Sequence, residues 1–363
     1  MTVIVVGAGI VGSAVAYELA ARGAEVRVVD ARGSGQGATR ASAGMLAPYI
    51  EGHSSTLLRL GVCGLEHYDA FVARVAADAR RPIEYRRTGT LQVARTAAAA
   101  GQLERQARAL AASGVSATYV SGAEARALEP ALADVRAGLL VPQHGYVRVA
   151  SLVDALAHAA AARGVRLQVA QVRRITRAND RVSVETAEET MAGDAVVLAA
   201  GSWSGGIPME PAVPPPVRPV RGQLVQLKLP QPPIARVVWG PDSYLVPWQD
   251  GSVLVGATAE EVGFDERVTA GGVRQLLERG ARLLPALGAA EFTEARAGLR
   301  PASTDELPIV GPSTTMRGVY YATGHYRNGV LLAPLTAMMV ADLLIDGRER
   351  PELHLVRPDR FGL

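Results

Sequence analysis

Val3-Ile4-Val5-Val6-Gly7-Ala8-Gly9-Ile10-Val11-Gly12 stands at the head of this 363-residue chain, and its reading decides the fold. The apolar run Val3 to Val6 reads as a short strand, Gly12 to Arg22 as an amphipathic helix closed by Gly23, and Glu25 to Val29 as the next strand. Gly7 permits a tight turn, Gly9 lets backbone approach a pyrophosphate, and Gly12 lets the helix pack on the strand. The helix N-terminus offers partial positive charge and N–H groups to phosphates. Asp30, at the end of the second strand beside Ala31 and Arg32, can accept hydrogen bonds from ribose hydroxyls. Glycines alone would signal little. Strand, glycines, helix, strand and terminal acid in register signal a dinucleotide-binding βαβ unit, without telling NAD from FAD.

Outward from this unit, a Gly/Ser/Ala-rich loop covers Gly33 to Ser42. A helix from about Ser55 to Ala77 is expected, because Leu57, Leu60, Leu65, Tyr68, Phe71 and Val75 recur at helical spacing. Further helices are expected at Ala98 to Ala112, Ala123 to Glu129 and Leu152 to Arg163. Ala195 to Ala199 reads as an apolar strand, and the small residues Ala200 and Gly201 let its end approach a dinucleotide. Pro208 to Pro219 reads as a semi-rigid crossover. Beyond it, Gln223 to Leu227, Ser243 to Val246 and Val253 to Val255 alternate as strands, with Asp250-Gly251 as a hairpin turn. This order suits a β-rich domain inserted into a split α/β domain.

Composition excludes several function classes. Lys228 is the only lysine among 38 basic residues, and 35 acids leave a net charge of +3. The pI of 9.2 therefore comes from scattered arginines, with no basic tail or aromatic RNA-binding motif, so no nucleic-acid partner is expected. Cys63 is the only cysteine, which rules out a disulfide framework and a cysteine metal site; no metal is expected. Its apolar helical setting reads as a buried small residue. The first strand starts at Thr2, leaving no room for a signal peptide. The apolar segment Gly329 to Ile345, interrupted by Asp342, is too short to span a bilayer and reads as a buried helix. A cytoplasmic location is the expectation.

Three further stretches carry a resemblance: Ser42-Ala43-Gly44-Met45-Leu46-Ala47-Pro48, Ala297-Gly298-Leu299-Arg300-Pro301, and Gly324-His325-Tyr326-Arg327-Asn328-Gly329-Val330-Leu331-Leu332-Ala333-Pro334. In this order and over essentially the whole chain, the sequence resembles the D-amino-acid oxidase superfamily. Within it, the sequence is most similar to the bacterial glycine oxidases of the thiamine pathway. The resemblance implies an α/β fold: a Rossmann-like FAD-binding domain of glutathione-reductase type, with an inserted α+β substrate domain on a mainly antiparallel sheet. The cofactor domain is expected at 1–85, 144–216 and 296–363, and the substrate domain at 86–143 and 217–295.

It also implies site roles. Ser42, Ala43, Gly44 and Met45 should pass the flavin, although Met45 could equally be an adaptable core filler. Val172, expected on the strand after Leu167, matches a position whose backbone meets the adenine, or is simply a strand valine. Trp203 belongs with Ala200 and Gly201. His325, Tyr326, Arg327, Asn328, Gly329 and Val330 should face the flavin pyrimidine. A helix start there, with Pro334 near its first turn, stabilises negative charge on reduced flavin. Arg300 is the candidate carboxylate clamp, since a planar guanidinium binds a carboxylate through two parallel hydrogen bonds; a surface salt bridge is the alternative. Tyr244 resembles the tyrosine that joins that clamp, or is a sheet-face aromatic. Arg327 lies near the same site, with a catalytic or structural side chain. His325 is not expected to be a general base, because the family's hydride transfer requires none.

The implied activity is FAD-dependent oxidative deamination of glycine, sarcosine or small D-amino acids. The products are a 2-oxo acid, ammonia or an amine, and hydrogen peroxide from oxygen. FAD should be non-covalent, because no cysteine follows Cys63. Asp242-Ser243-Tyr244 lacks the histidine that glycine oxidase carries just before its tyrosine, so the substrate side chain stays open. The alternatives are a D-amino-acid dehydrogenase passing electrons to a quinone or carrier, and a flavin-binding module without turnover. A homo-oligomer is compatible with all three.

Overall fold

A computed structural model describes residues 1–50, 54–178 and 180–363. Thr2–Val6, Glu25–Asp30, Arg166–Val169, Ala195–Leu198 and Val319–Thr323 form the parallel part of a six-stranded sheet, with Ile309–Pro312 antiparallel at one edge. Thr2–Val6 lies between Ala195–Leu198 and Glu25–Asp30 in parallel register. Strands sandwiched this way are buried on both faces, which explains their unbroken apolar runs. The Ile10–Ala21 helix covers one face and is itself packed against the Val149–Ala162 and Gly329–Ile345 helices. It is consequently buried from Ile10 almost to its end, not amphipathic as expected.

The helix expected from 55 to 77 is two helices, Ser55–Glu66 and Tyr68–Ala79, meeting at His67. The first packs on Gly329–Ile345, where a Cβ on Gly64 would come within 2.7 Å of the Leu331 carbonyl oxygen. The second packs on Val149–Ala162, so the chain must change direction between them. Gly329–Ile345 forms the expected buried helix, but Pro334 sits inside it rather than in its first turn. Proline has no N–H for the Val330 carbonyl; the buried Tyr68 hydroxyl donates to that oxygen instead, at 3.1 Å. Cys63 is half-buried rather than buried, and burial pushes its thiol up to about 11.

The second large sheet has eight strands and is mostly antiparallel. Its backbone is two long strands, Val217–Lys228 and Glu291–Ser303, joined by the Ala270–Leu283 helix and the Tyr244–Pro247/Ser252–Gly256 hairpin. The hairpin turns at Asp250-Gly251 as expected, with Gly251 at φ 85°. The proline-rich crossover is shorter than expected. Met209–Glu210 is a strand, and Val217–Lys228 takes in Pro219, which pairs with Pro301. Prolines survive in a ladder where their missing N–H is not needed. The sequence reading passed over both the Glu291–Ser303 strand and the Ala270–Leu283 helix. No helix among the described residues is long and apolar enough to cross a membrane.

Candidate active site

The two large sheets meet over a cavity of about 710 Å³. One wall is the glycine turn. Gly7 has φ 111°, and a Cβ there would lie 2.3 Å from the Ala199 carbonyl oxygen; a Cβ on Gly12 would lie 2.0 Å from the Gly7 carbonyl oxygen. Both must therefore be glycine for the Ile10–Ala21 helix to sit on the strands. Gly9 caps that helix with bare backbone, and Gly7, Gly9, Ile10 and Val11 line the cavity. Gly12 does not line it: its part is packing.

Asp30 is more occupied than the sequence suggests. One carboxylate oxygen accepts the Ala8 N–H at 2.8 Å; the other accepts those of Arg32 and Gly33 at 2.7 and 3.0 Å. It thus ties two loops at the strand end, and carboxylate oxygens retain lone pairs for a ligand. Sequence reasoning missed Thr39, whose buried hydroxyl accepts the Ile10 N–H at 3.0 Å and ties the following loop to the helix start. Thr39 is one of three hydroxyl residues in the Gly/Ser/Ala-rich loop, with Ser34 and Ser42, and spacing alone does not single it out. Ser42, Ala43, Gly44 and Met45 line the cavity; at Gly44 (φ 72°) a Cβ would strike the Val147 carbonyl oxygen at 1.9 Å. Met45 also pairs across the ladder with Tyr146 and packs against the apolar cluster that contains it. Ala31, Arg32, Ala200, Gly201 and Trp203 lie in the lining. So does Val172, although it follows the Arg166–Val169 strand rather than lying on it, because that strand ends three residues earlier.

The opposite wall belongs to the eight-stranded sheet. Arg300 lies over Gly222 of the neighbouring strand, where a Cβ would come within 2.2 Å of its guanidinium. Its Nη1 donates to the Thr258 carbonyl at 3.0 Å. Tyr244 lies over Gly256 in the same way, with 2.3 Å to a Cβ there, and stacks on Trp239 at 5.4 Å. Glycine on the adjacent strand is what lets each long side chain lie flat. Arg300, Tyr244 and Trp239 all face the cavity.

His325, Tyr326, Arg327, Gly329 and Val330 complete the lining. The Tyr326 N–H donates to the Pro301 carbonyl at 2.9 Å, joining this loop to the Arg300 strand. The Arg327 guanidinium is exposed, lies 4.9 Å over the Tyr326 ring and donates to its hydroxyl. Asn328, by contrast, is buried outside the lining and caps the Gly329–Ile345 helix, its carbonyl accepting the Leu332 N–H. His325 is fully buried, bonds Thr336 Oγ1 through Nε2 at 2.9 Å, and is pushed down to about 4 by burial. It is neutral at pH 7.

These residues fit an FAD. Bare glycine backbone and a helix start suit a pyrophosphate, Asp30 suits a ribose, and a second helix start at Gly329 suits the electron-rich end of a flavin. Among the described residues, no three His, Cys, Asp or Glu side chains converge as metal ligands.

Comparison with known proteins agrees. A family model described as FAD dependent oxidoreductase matches residues 2–343. The glycine oxidase of Geobacillus kaustophilus is 35% identical over 94% of this chain and 92% of its own length. Its crystal structure superposes with a TM-score of 0.91 at 34% identity, covering 96% and 95% of the two chains. Iminodiacetate oxidase from Chelativorans superposes at 0.89 with 27% identity, covering 98% of each. A bifunctional ThiO/ThiG protein of Synechocystis is 35% identical over 99% of this chain, which spans 54% of that longer protein.

Proposed function

The chain belongs to the FAD-dependent oxidoreductase family, and from that premise we propose that it oxidises glycine, sarcosine or small D-amino acids. One observation carries the reading. Arg300 and Tyr244 lie flat over glycine positions on the wall opposite the dinucleotide turn, lining the same cavity. A binding module without turnover has no use for a guanidinium and a phenol there. The names of two relatives, glycine oxidase and iminodiacetate oxidase, share a carboxylate one carbon away from an amine nitrogen, which is the group such a pair would grip.

In this reading Gly7, Gly9, Ile10 and Val11 hold the FAD pyrophosphate and Asp30 its ribose. The segments from Ser42 to Met45 and from His325 to Val330 flank the flavin. FAD, when bound, supplies the acceptor for a hydride from the substrate α-carbon. Arg300 takes the substrate carboxylate through two N–H bonds, and the Tyr244 hydroxyl donates a third. Arg327, braced on Tyr326 at the rim, adds positive potential. Fixing carboxylate and amine leaves one direction for the α-hydrogen, so the residues work chiefly by alignment. Neutral, buried His325 takes no proton; the amine binds unprotonated. The resulting imine takes up water to give a 2-oxo acid with ammonia or an amine, and oxygen takes up the two electrons and two protons removed from the amine and leaves as hydrogen peroxide. The resemblance implies a place in thiamine biosynthesis.

The division into a cofactor domain (1–85, 144–216, 296–363) and a substrate domain (86–143, 217–295) is supported by two large sheets that share no strand. Its last boundary falls inside the Glu291–Ser303 strand, so Arg300 rides the strand that carries the chain from one sheet back towards the other.

Anaerobic mixing with candidate amines tests the proposal. Glycine, sarcosine or D-alanine should bleach the flavin absorbance, and L-alanine should not. Readmitted air should then restore the colour and release peroxide. Slow recovery in air with fast dye reduction would make the protein a dehydrogenase, and preferential bleaching by L-alanine would refute the stereochemistry.

A further inference from the structure

Four side chains that share the cavity lining close on one another from both domains. Arg32 follows Asp30 at the strand end, and Trp203 follows the Ala195–Leu198 strand; the Arg32 guanidinium lies 4.3 Å over the Trp203 ring. From the other domain, the connection between Ser252–Gly256 and Ala270–Leu283 brings Phe264 to the same ring, with centroids 5.9 Å apart. Two residues on, Glu266 accepts from Arg32 Nη1 with both oxygens, at 2.8 and 3.1 Å. Gly37 lies beneath: a Cβ there would be 2.7 Å from Arg32 Nη2 and 3.5 Å from the Trp203 ring.

The connection is held at its base. Arg221, only 4% exposed in its side chain, pairs with Glu260 at 2.6 Å and Asp265 at 2.9 Å, while its backbone exchanges two 2.9 Å hydrogen bonds with Glu260. Asp265 is thereby tied back to the sheet, leaving its flanking neighbours Phe264 and Glu266 to reach across to Trp203 and Arg32. Phe264 is 56% exposed, so core packing does not account for its position. An exposed aromatic and an acid from one domain, meeting an arginine–tryptophan stack of the other, gain little as surface contacts. Their position over a ligand cavity gives them a use.

We propose that Phe264 and Glu266 are cofactor-retention residues: with Arg32 and Trp203 they form a clasp over the adenosine end of the FAD cavity, which must open for FAD to enter or leave. The proposal rests on the reading that Asp30 marks that end. Because the clasp spans two domains, the substrate domain then holds the nucleotide as well as roofing the flavin. The Arg32–Glu266 pair is partly exposed, with 40% and 34% of the two side chains accessible, so salt screens it and loosens the clasp.

The test follows FAD release from holoenzyme by the rise of free-flavin fluorescence, and FAD uptake by apoprotein, in wild type, F264A, E266Q and D30A. Loss of the aromatic pair should speed release roughly 3- to 10-fold in F264A, with a smaller rise in E266Q and faster uptake in both. Wild-type release should itself quicken with salt, and that salt response should shrink in E266Q. Phe264 is exposed, and circular dichroism of each apoprotein checks that the fold survives. Release at the wild-type rate in F264A and E266Q, while D30A releases faster, would overturn the clasp and leave the nucleotide site standing. Faster release with unchanged uptake would reduce these side chains to simple contacts and also overturn it. A D30A variant that holds FAD like wild type would remove the orientation on which the clasp depends.

Discussion

At its glycine turn the six-stranded sheet meets the cavity with backbone, through Gly7, Gly9, Ala200 and Gly201, whereas the eight-stranded sheet meets it with side chains, through Arg300, Tyr244 and Trp239. The difference is chemical. A pyrophosphate is bound by N–H groups and a helix dipole, and close approach requires that side chains be absent. A small carboxylated amine is bound by a charge and a hydroxyl on rigid strands, and glycine serves there only to clear room: Gly222 beneath Arg300 and Gly256 beneath Tyr244.

On that contrast, the largest effect belongs to the backbone wall. Gly7→Val should give protein without FAD or no folded protein at all, since even a Cβ would sit 2.3 Å from the Ala199 carbonyl oxygen; flavin absorbance after gel filtration reads this. On the side-chain wall, Tyr244→Phe should keep FAD and lose about 1.5–3 kcal/mol of transition-state binding, the range for a hydrogen bond to a charged group, read as kcat/KM.

A pH series sharpens the comparison further. Burial holds His325 near 4 and His144 near 3 in the folded protein, below the ordinary value of about 6.5 for histidine. The unfolded chain therefore binds more protons between these limits, and stability falls as pH drops below about 6.5. The Tm should decline through this window, and His325→Gln should decline less. Activity should show no inflection from His325 at neutral pH. The smallest effect lies beneath both walls: Tyr68→Phe should cost about 1–3 kcal/mol in urea unfolding by stranding the Val330 carbonyl. Pro334→Ala should ease that loss, because an alanine N–H can take the bond over.

The same contrast explains what the sequence could tell. The βαβ unit is local: Gly7, Gly9, Gly12 and Asp30 fall within one strand–helix–strand, so their spacing carried the fold and a dinucleotide site, and resemblance alone pointed to FAD. Thr39 escaped because its partner, the Ile10 N–H, lies 29 residues back. In the eight-stranded sheet the meaning of each residue depends on its neighbours across the ladder. Tyr244 and Arg300 lie on strands separated by two others, and the Glu291–Ser303 strand, with mixed exposure at its start, has no clear alternation to announce it. Resemblance, not spacing, pointed to Arg300. Val172 and Pro334 were misplaced for a related reason: where a strand ends, or whether a helix tolerates an internal proline, depends on distant partners such as Tyr68.

The two walls serve one reaction in this reading, with the cofactor on one side and the substrate carboxylate on Arg300 at the other. Anaerobic stopped-flow reduction of wild type and Arg300→Ala, with glycine and with methylamine, tests it most directly. Wild type should be bleached by glycine and hardly by methylamine, which lacks the carboxylate. Arg300→Ala should keep its FAD and lose about 2–5 kcal/mol of that preference, the cost of truncating a buried charge pair, and Arg300→Lys should recover little of it. Flavin reduction by glycine at the wild-type rate in Arg300→Ala would contradict the claim.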